Sequence, residues 1–227
     1  MPIRVKMRMG TLKHNGSTEN FPFAPVILDW SASSNHPSLQ PPASRQTIFQ
    51  GVNLPGFESG KTGGLLAGPA LLSTSIARRQ AFEAAMHPLG LPANADVVAV
   101  SDNYTEDEGS RCAEYLLDKQ PEVTALLCPN DRLAIGAIDA LQGRGLSCPA
   151  DVSITGFNDI PFLDLIPPGL TTVQILQFDL GRIAAEILLK RMTEPDARVP
   201  ETTIMPVSII ERGSIAPPRN GRASTQS

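Results

Sequence analysis

The sequence predicts an α/β layer built on a mostly parallel sheet, and three observations carry that expectation. Short apolar runs recur at residues 65–67, 97–100, 123–128 and 152–155. Stretches of helical period separate them, so strand and helix alternate. Polar residues gather just after each run: Ser73, Thr74 and Ser75, then Asp102 and Asn103, then Asn130 and Asp131, then Asn158 and Asp159. Ligands of open parallel sheets sit outside the carboxyl ends of the strands, so this placement predicts a polar small-molecule site.

The elements follow in order. The run at 65–67 stops at Gly68-Pro69, a turn signal. Residues 75–86 read as a helix, with Ile76, Arg79, Phe82 and Glu83 at helical spacing. Thr105-Glu106-Asp107-Glu108 matches a capping box, and its three acids suit the positive end of a helix dipole. That helix is expected to turn Cys112, Tyr115 and Leu116 inward and to end before Pro121. Leu133, Ala134, Ala137, Ile138 and Leu141 form a second apolar face, closed by Gly143 and Gly145. Leu180, Ile183, Ala184, Ile187 and Leu188 form a third. Residues 203–210 are the last strand, expected at an edge because Pro206 interrupts it.

Residues 1–62 read differently. Pro22, Pro25, Pro37, Pro41, Pro42 and Pro55 break the stretch, and only Val26-Ile27-Leu28 is apolar in a row. Irregular or disordered chain is expected there, a folded sensor-like domain over 63–215, and a disordered tail over 216–227.

Composition limits the function classes. The 227 residues are 41% hydrophobic and 19% charged, with net charge -4 and a pI near 5.4. Such a balance lacks the basic excess of a free-standing nucleic-acid binder. Cys112, Cys128 and Cys148 are odd in number and form no Cys-x-x-Cys pair, so neither a zinc site nor a disulfide framework is supported. Arg4, Lys6 and Arg8 precede no apolar signal region, and no run approaches a membrane span, so a cytoplasmic protein is expected. His14, His36 and His87 show no metal spacing. No Gly-x-Ser-x-Gly elbow is present. Gly56-Phe57-Glu58-Ser59-Gly60-Lys61-Thr62 is one residue short of a phosphate-binding loop and follows no apolar strand, so it reads better as a linker. No enzyme, cofactor or metal is expected.

Taken singly, the polar motifs stay open. Arg78-Arg79 fits a solvated helix face as well as a ligand role. Asn130-Asp131 fits a helix cap, and one of the pair can cap while the other faces a cleft.

Together the motifs resemble those of LacI/GalR-type transcription regulators. Gly68-Pro69, the serines, then Arg78-Arg79-Gln80-Ala81-Phe82 is similar to their Gly-Pro segment followed by Arg-x-x-Gly-aromatic. Asn130-Asp131-Arg132-Leu133-Ala134-Ile135-Gly136 resembles their Asn-Asp-x-x-Ala-x-Gly motif. The stretch from Pro149 to Asp159 resembles their Pro-x-Asp-Val/Ile-Ser-Val/Ile-x-Gly-Phe/Tyr-Asp-Asp/Asn segment, and Leu170-Thr171-Thr172-Val173, then Leu180-Gly181, completes the set. The resemblance implies a type I periplasmic-binding-protein-like fold, two α/β lobes hinged around a cleft for a sugar or sometimes a purine. It implies a homodimer, and DNA bound through an N-terminal helix-turn-helix. Ser73, Ser75, Arg78, Asn130, Asp131, Phe157, Asn158 and Asp159 would line the cleft.

The pattern departs in places. Asn158 stands where the family has an acid, and Gln174-Ile175-Leu176 where it has Arg-Gln-Pro. No helix-turn-helix is read, and the first 60 residues do not resemble the first lobe. An N-terminally truncated or frame-shifted regulator is expected. Its second lobe would span 65–168, with returning first-lobe segments over 170–212. Such a chain should bind effector weakly, because two walls are needed to bury a small ligand. The alternatives are a solute-binding protein of a transport system and, more remotely, a phosphate-loop enzyme.

Overall fold

A computed structural model describes residues 2–7, 11–14, 17–20, 26–29, 62–194 and 202–217. The first four strands are β1 (Pro2–Met7), β2 (Thr11–His14), β3 (Ser17–Asn20) and β4 (Val26–Asp29). They fall inside the stretch expected to be irregular. The signal passed over is the alternation of Ile3, Val5 and Met7 with Arg4 and Lys6, a period of two. β1 and β4 pair antiparallel with Val5 opposite Leu28, and β2 and β3 form their own antiparallel pair. Residues 30–61, with most of the glycine-rich motif, and the tail from 218 lie outside the described residues.

The regular alternation follows: β5 (Thr62–Ala67), α1 (Ser73–Met86), β6 (Val98–Val100), α2 (Glu106–Lys119), β7 (Val123–Leu127), α3 (Asp131–Gly143), β8 (Ser153–Asn158), β9 (Thr171–Ile175), α4 (Gln177–Thr193) and β10 (Thr202–Ile210). The chain divides into two units: Met1–Ala32 with Ile175–Val207, and Ser33–Gln174 with Ser208–Ser227.

The larger unit is the expected α/β layer. Its strands run parallel in the order β9-β8-β7-β5-β6. Side chains alternate across a strand, so neighbours in sequence enter opposite cores. Leu66, Leu126 and Ile154 join Cys112, Leu116, Ala134 and Leu141 of α2 and α3 on one face. Leu65, Ala67 and Leu127 join Phe82 and Met86 of α1 on the other. Both faces are covered, which is why the strands read as unbroken apolar runs. Each fully buried Leu or Phe contributes about 1.5–3 kcal/mol.

α2 and α3 touch backbone to backbone. A β-carbon on Gly136 would fall on the Glu106 carbonyl oxygen, and one on Gly109 would fall on that of Leu133. Cys112 and Leu116 are fully buried as expected, but Tyr115 is 41% exposed. The core stripe of α2 runs through Cys112, Ala113, Leu116 and Leu117, and Tyr115 lies on its flank beneath the Lys119 amine.

The capping box forms by half. The Thr105 hydroxyl accepts from the Glu108 amide. The Thr105 amide instead donates to Asn103 Oδ1 at 3.0 Å. The Glu108 carboxylate turns to the Asp102 amide and Arg111.

In the smaller unit β10 pairs antiparallel with β1, Pro2 opposite Pro206. Within this unit the strand order is β4-β1-β10. Facing prolines confine the missing amide donors to one rung of the ladder. α4 has no buried residue, so its expected apolar face is only partly covered. No helix among the described residues is long and apolar enough to cross a membrane.

Candidate functional site

The carboxyl ends of β5 to β9 and the helices that follow them carry every polar residue singled out in the sequence. Two contacts from α1 set up the arrangement. Ser75 is buried, and its hydroxyl lies 2.8 Å from that of Tyr104, in the loop after β6. A β-carbon at Gly68 would fall on both groups, so the β5 turn admits no side chain there. One helical turn on, Arg78 Nη1 donates to the Pro129 carbonyl at 2.6 Å. Its guanidinium lies 4.0 Å from the centroid of the Phe157 ring. Arg78 thus ties α1 to the loop after β7 and to β8. Burial lowers its pKa, and Tyr104 opposes that shift. An arginine stays charged under such a shift. A solvated helix face fits Arg79 instead, which pairs with Glu83 one turn away.

Asn130 caps α3, its Oδ1 accepting from the Leu133 amide at 2.8 Å. Its amide NH2 makes no hydrogen bond among the described residues. Capping and ligand contact are compatible at this residue, because they use different atoms.

Asp131 faces inward. It is 0% exposed, and accepts from the Thr172 hydroxyl at 2.5 Å and the Ile160 amide at 2.9 Å. Burial pushes its carboxyl above the ordinary range, against hydrogen bonds from Thr172 and the Ile160 and Phe157 amides. Gly156 leaves the room it occupies, since a β-carbon there would meet its Oδ1. Asp131 therefore organises the ends of β8 and β9 and presents no surface to a cleft.

β8 ends in a left-handed turn, with φ of 117° at Asn158 and 56° at Asp159. Non-glycine residues there cost on the order of 1–3 kcal/mol each. Asp159 accepts from Gln174 Nε2 and Arg212 Nη2, both at 2.8 Å. Asn158 is partly exposed, and its side chain makes no hydrogen bond among the described residues. Ser73, the first residue of α1, is exposed and likewise without a side-chain bond there.

Tyr104, Gln174 and Arg212 were not singled out as site residues. Tyr104 adjoins the polar pair after β6, which was read. Gln174 was noted only as a departure from a motif. Arg212 lies 53 positions from Asp159, and no local pattern joins them.

Among the described residues no group of three His, Cys, Asp or Glu is placed to hold a metal ion. A surface groove bordered by Glu106, Asp107, Glu114 and Asp139 runs between α2 and α3. None of the predicted site residues lines it.

Comparison with known proteins identifies relatives of this fold. A family model described as a periplasmic binding protein-like domain matches residues 61–215. The HTH-type transcriptional repressor PurR of Haemophilus influenzae is 34% identical over 175 residues, 77% of this chain and 51% of that protein. The HTH-type transcriptional repressor CytR of Escherichia coli is 32% identical over 144 residues, 63% of this chain and 42% of that protein. A sugar-binding LacI-family regulator from Escherichia coli, solved with phosphate, is 28% identical with a TM-score of 0.64, covering 76% of this chain and 61% of that one. A LacI-family regulator from Enterococcus faecium with bound ribose is 28% identical with a TM-score of 0.59, covering 70% and 58%. The chain spans about half the length of the curated relatives it matches. From the family model and the shared fold, the chain belongs to the periplasmic binding protein-like family, in the form of a LacI-type ligand-binding domain.

Proposed function

We propose that this chain is the effector-sensing part of a LacI-type transcriptional regulator, and that its effector is a small polar molecule, most simply a sugar. One observation carries the reading. Arg78 is locked over Phe157 and against the Pro129 carbonyl, the residues just before Asn158 and Asn130; the Asn158 amide and the Asn130 NH2 make no hydrogen bond among the described residues. A rigid guanidinium fork and two amides suit vicinal hydroxyls, which both donate and accept. The Phe157 ring, 7% exposed and covered by Arg78, serves to hold the guanidinium flat. Effector binding would bias lobe closure, and a helix-turn-helix region of the whole protein would read that bias at DNA. The regulator would act as a homodimer in the cytoplasm and would not be an enzyme. The transport reading shares the lobes, but the relatives named above are repressors and regulators.

Saturation-transfer NMR of the full chain tests the reading, with monosaccharides, cellobiose, purine bases and nucleosides at millimolar concentration. At least one compound should give a signal. Asn130→Asp keeps an oxygen for the α3 cap and removes the NH2 donor, so it should weaken that signal and leave stability near wild type. Silence from the whole panel, or an undiminished signal from the Asn130→Asp chain, would overturn the assignment.

A further inference from the structure

The Asn158–Asp159 turn raises a question the site reading does not answer: what holds two consecutive non-glycine residues at positive φ? The anchors come from two sides. From α3, Asp131 Oδ2 accepts the Ile160 amide. From the other side, both oxygens of Asp159 are engaged, Oδ1 by Arg212 and Oδ2 by Gln174. The ion pair is mostly shielded from water, with side-chain exposures of 21% for Arg212 and 12% for Asp159, so its attraction is less screened than that of a surface pair. Arg212 is itself fixed: Nη1 donates to the Leu170 carbonyl at 2.8 Å, and its backbone exchanges bonds with the Thr171 hydroxyl.

The positions of the two partners in the chain matter. Gln174 is the last residue before the chain leaves the larger unit at Ile175, and Arg212 follows its return at Ser208. We propose that Asp159, Gln174 and Arg212 form a strut that holds the Asn158 turn in its left-handed form and fastens it to both segments through which the chain passes between its units. Asp159 is then a positioning residue for Asn158. Any force on Asn158 reaches both connecting segments through the Gln174 hydrogen bond and the Arg212 ion pair. The role of that turn in sensing rests on the effector reading above. The strut can be tested without any effector, so its failure and a silent ligand panel are separate results.

The test is backbone amide hydrogen exchange on the full chain, comparing wild type with Arg212→Ala, Arg212→Lys and Gln174→Ala. Arg212→Ala should speed exchange over residues 158–161 and 171–174 by about tenfold or more, while the core strand at 124–127 stays at its wild-type rate. Arg212→Lys, which keeps the charge, should recover most of that protection. Gln174→Ala removes a single bond and should give about a threefold effect at the same places; it serves alone if Arg212→Ala does not fold. Unchanged exchange at 158–161, or acceleration there equal to that in 124–127, would overturn the strut.

Discussion

Helix α3 buries eight of its thirteen residues, whereas helix α4 buries none of its seventeen. Both have an apolar stripe at helical spacing. α3 lies on the sheet and against α2, with Leu133, Ala134, Ala137 and Leu141 all at 0% exposure. α4 leaves Phe178 84%, Leu189 59% and Met192 57% exposed. An amphipathic period makes a helix possible, but tertiary packing of that face gives most of its stability. The larger unit should therefore be the cooperative part of the molecule, and α4 should depend little on its own side chains.

The largest expected contrast is in truncation. Leu133→Ala should cost about 2–5 kcal/mol, because it leaves a cavity in a closed core. Leu189→Ala in α4 should change stability by no more than about 0.5 kcal/mol. Urea midpoints of the two variants measure this, and equal losses would break the comparison.

Two glycines sharpen it. Gly136→Ala pushes a methyl onto the Glu106 carbonyl and should destabilise by about 1–3 kcal/mol. Gly181→Ala in α4 meets no atom within 4 Å and should stabilise by about 0.5–1 kcal/mol, since alanine is the better helix former. The two substitutions should move the thermal midpoint in opposite directions. A destabilising Gly181→Ala would mean that α4 is packed against something.

The smallest effects lie in pH dependence, and their signs differ within the larger unit. Hydrogen bonds from Arg111 and the Asp102 amide hold the Glu108 carboxyl at about 2. Its pKa is lower folded than unfolded, so its stabilisation is present above the ordinary value of 4.5 and is lost as pH falls toward 2. The contribution is on the order of 0.5–1 kcal/mol, because Arg111 is half exposed. Asp131 is the reverse. Burial raises its folded pKa, so its contribution is fullest below the ordinary carboxyl range and is lost as pH rises through the folded value. The stability advantage of wild type over Glu108→Gln should therefore grow with pH across the acid range. Relative to Asp131→Asn, wild type should lose ground as pH rises. Parallel slopes for the two pairs would contradict the placement of these carboxylates.

The alternation of the larger unit was legible because parallel strands covered on both faces leave unbroken apolar runs between helical periods. The strand-end residues were legible for the same reason: a run's end marks a carboxyl end. Which of those residues face outward was not. Asn130 and Asp131 are adjacent polar residues, yet the Asn130 NH2 makes no hydrogen bond among the described residues and Asp131 is closed over by Thr172 and Ile160. That choice depends on Gly156 and Thr172, which come from β8 and β9. The Asp159–Arg212 pair was invisible because it joins positions 53 apart with no shared period. β1 was not legible because its alternation spans only six residues, too short a period to stand out from the proline-broken stretch after it, and the exposure of α4 was not because periodicity names a face without naming its partner.

The central claim is that Arg78 belongs to an effector site. Its direct test is the ligand-dependent melt of three chains: wild type, Arg78→Ala and Arg79→Ala. A fully formed site at a hundredfold excess over its dissociation constant would add about 2.7 kcal/mol; a smaller, saturable shift is expected here. The account predicts that one sugar or purine raises the midpoint of wild type and of Arg79→Ala, whose side chain faces Glu83, and leaves Arg78→Ala unmoved. A panel that shifts none of the chains, or shifts Arg78→Ala as much as wild type, would contradict it.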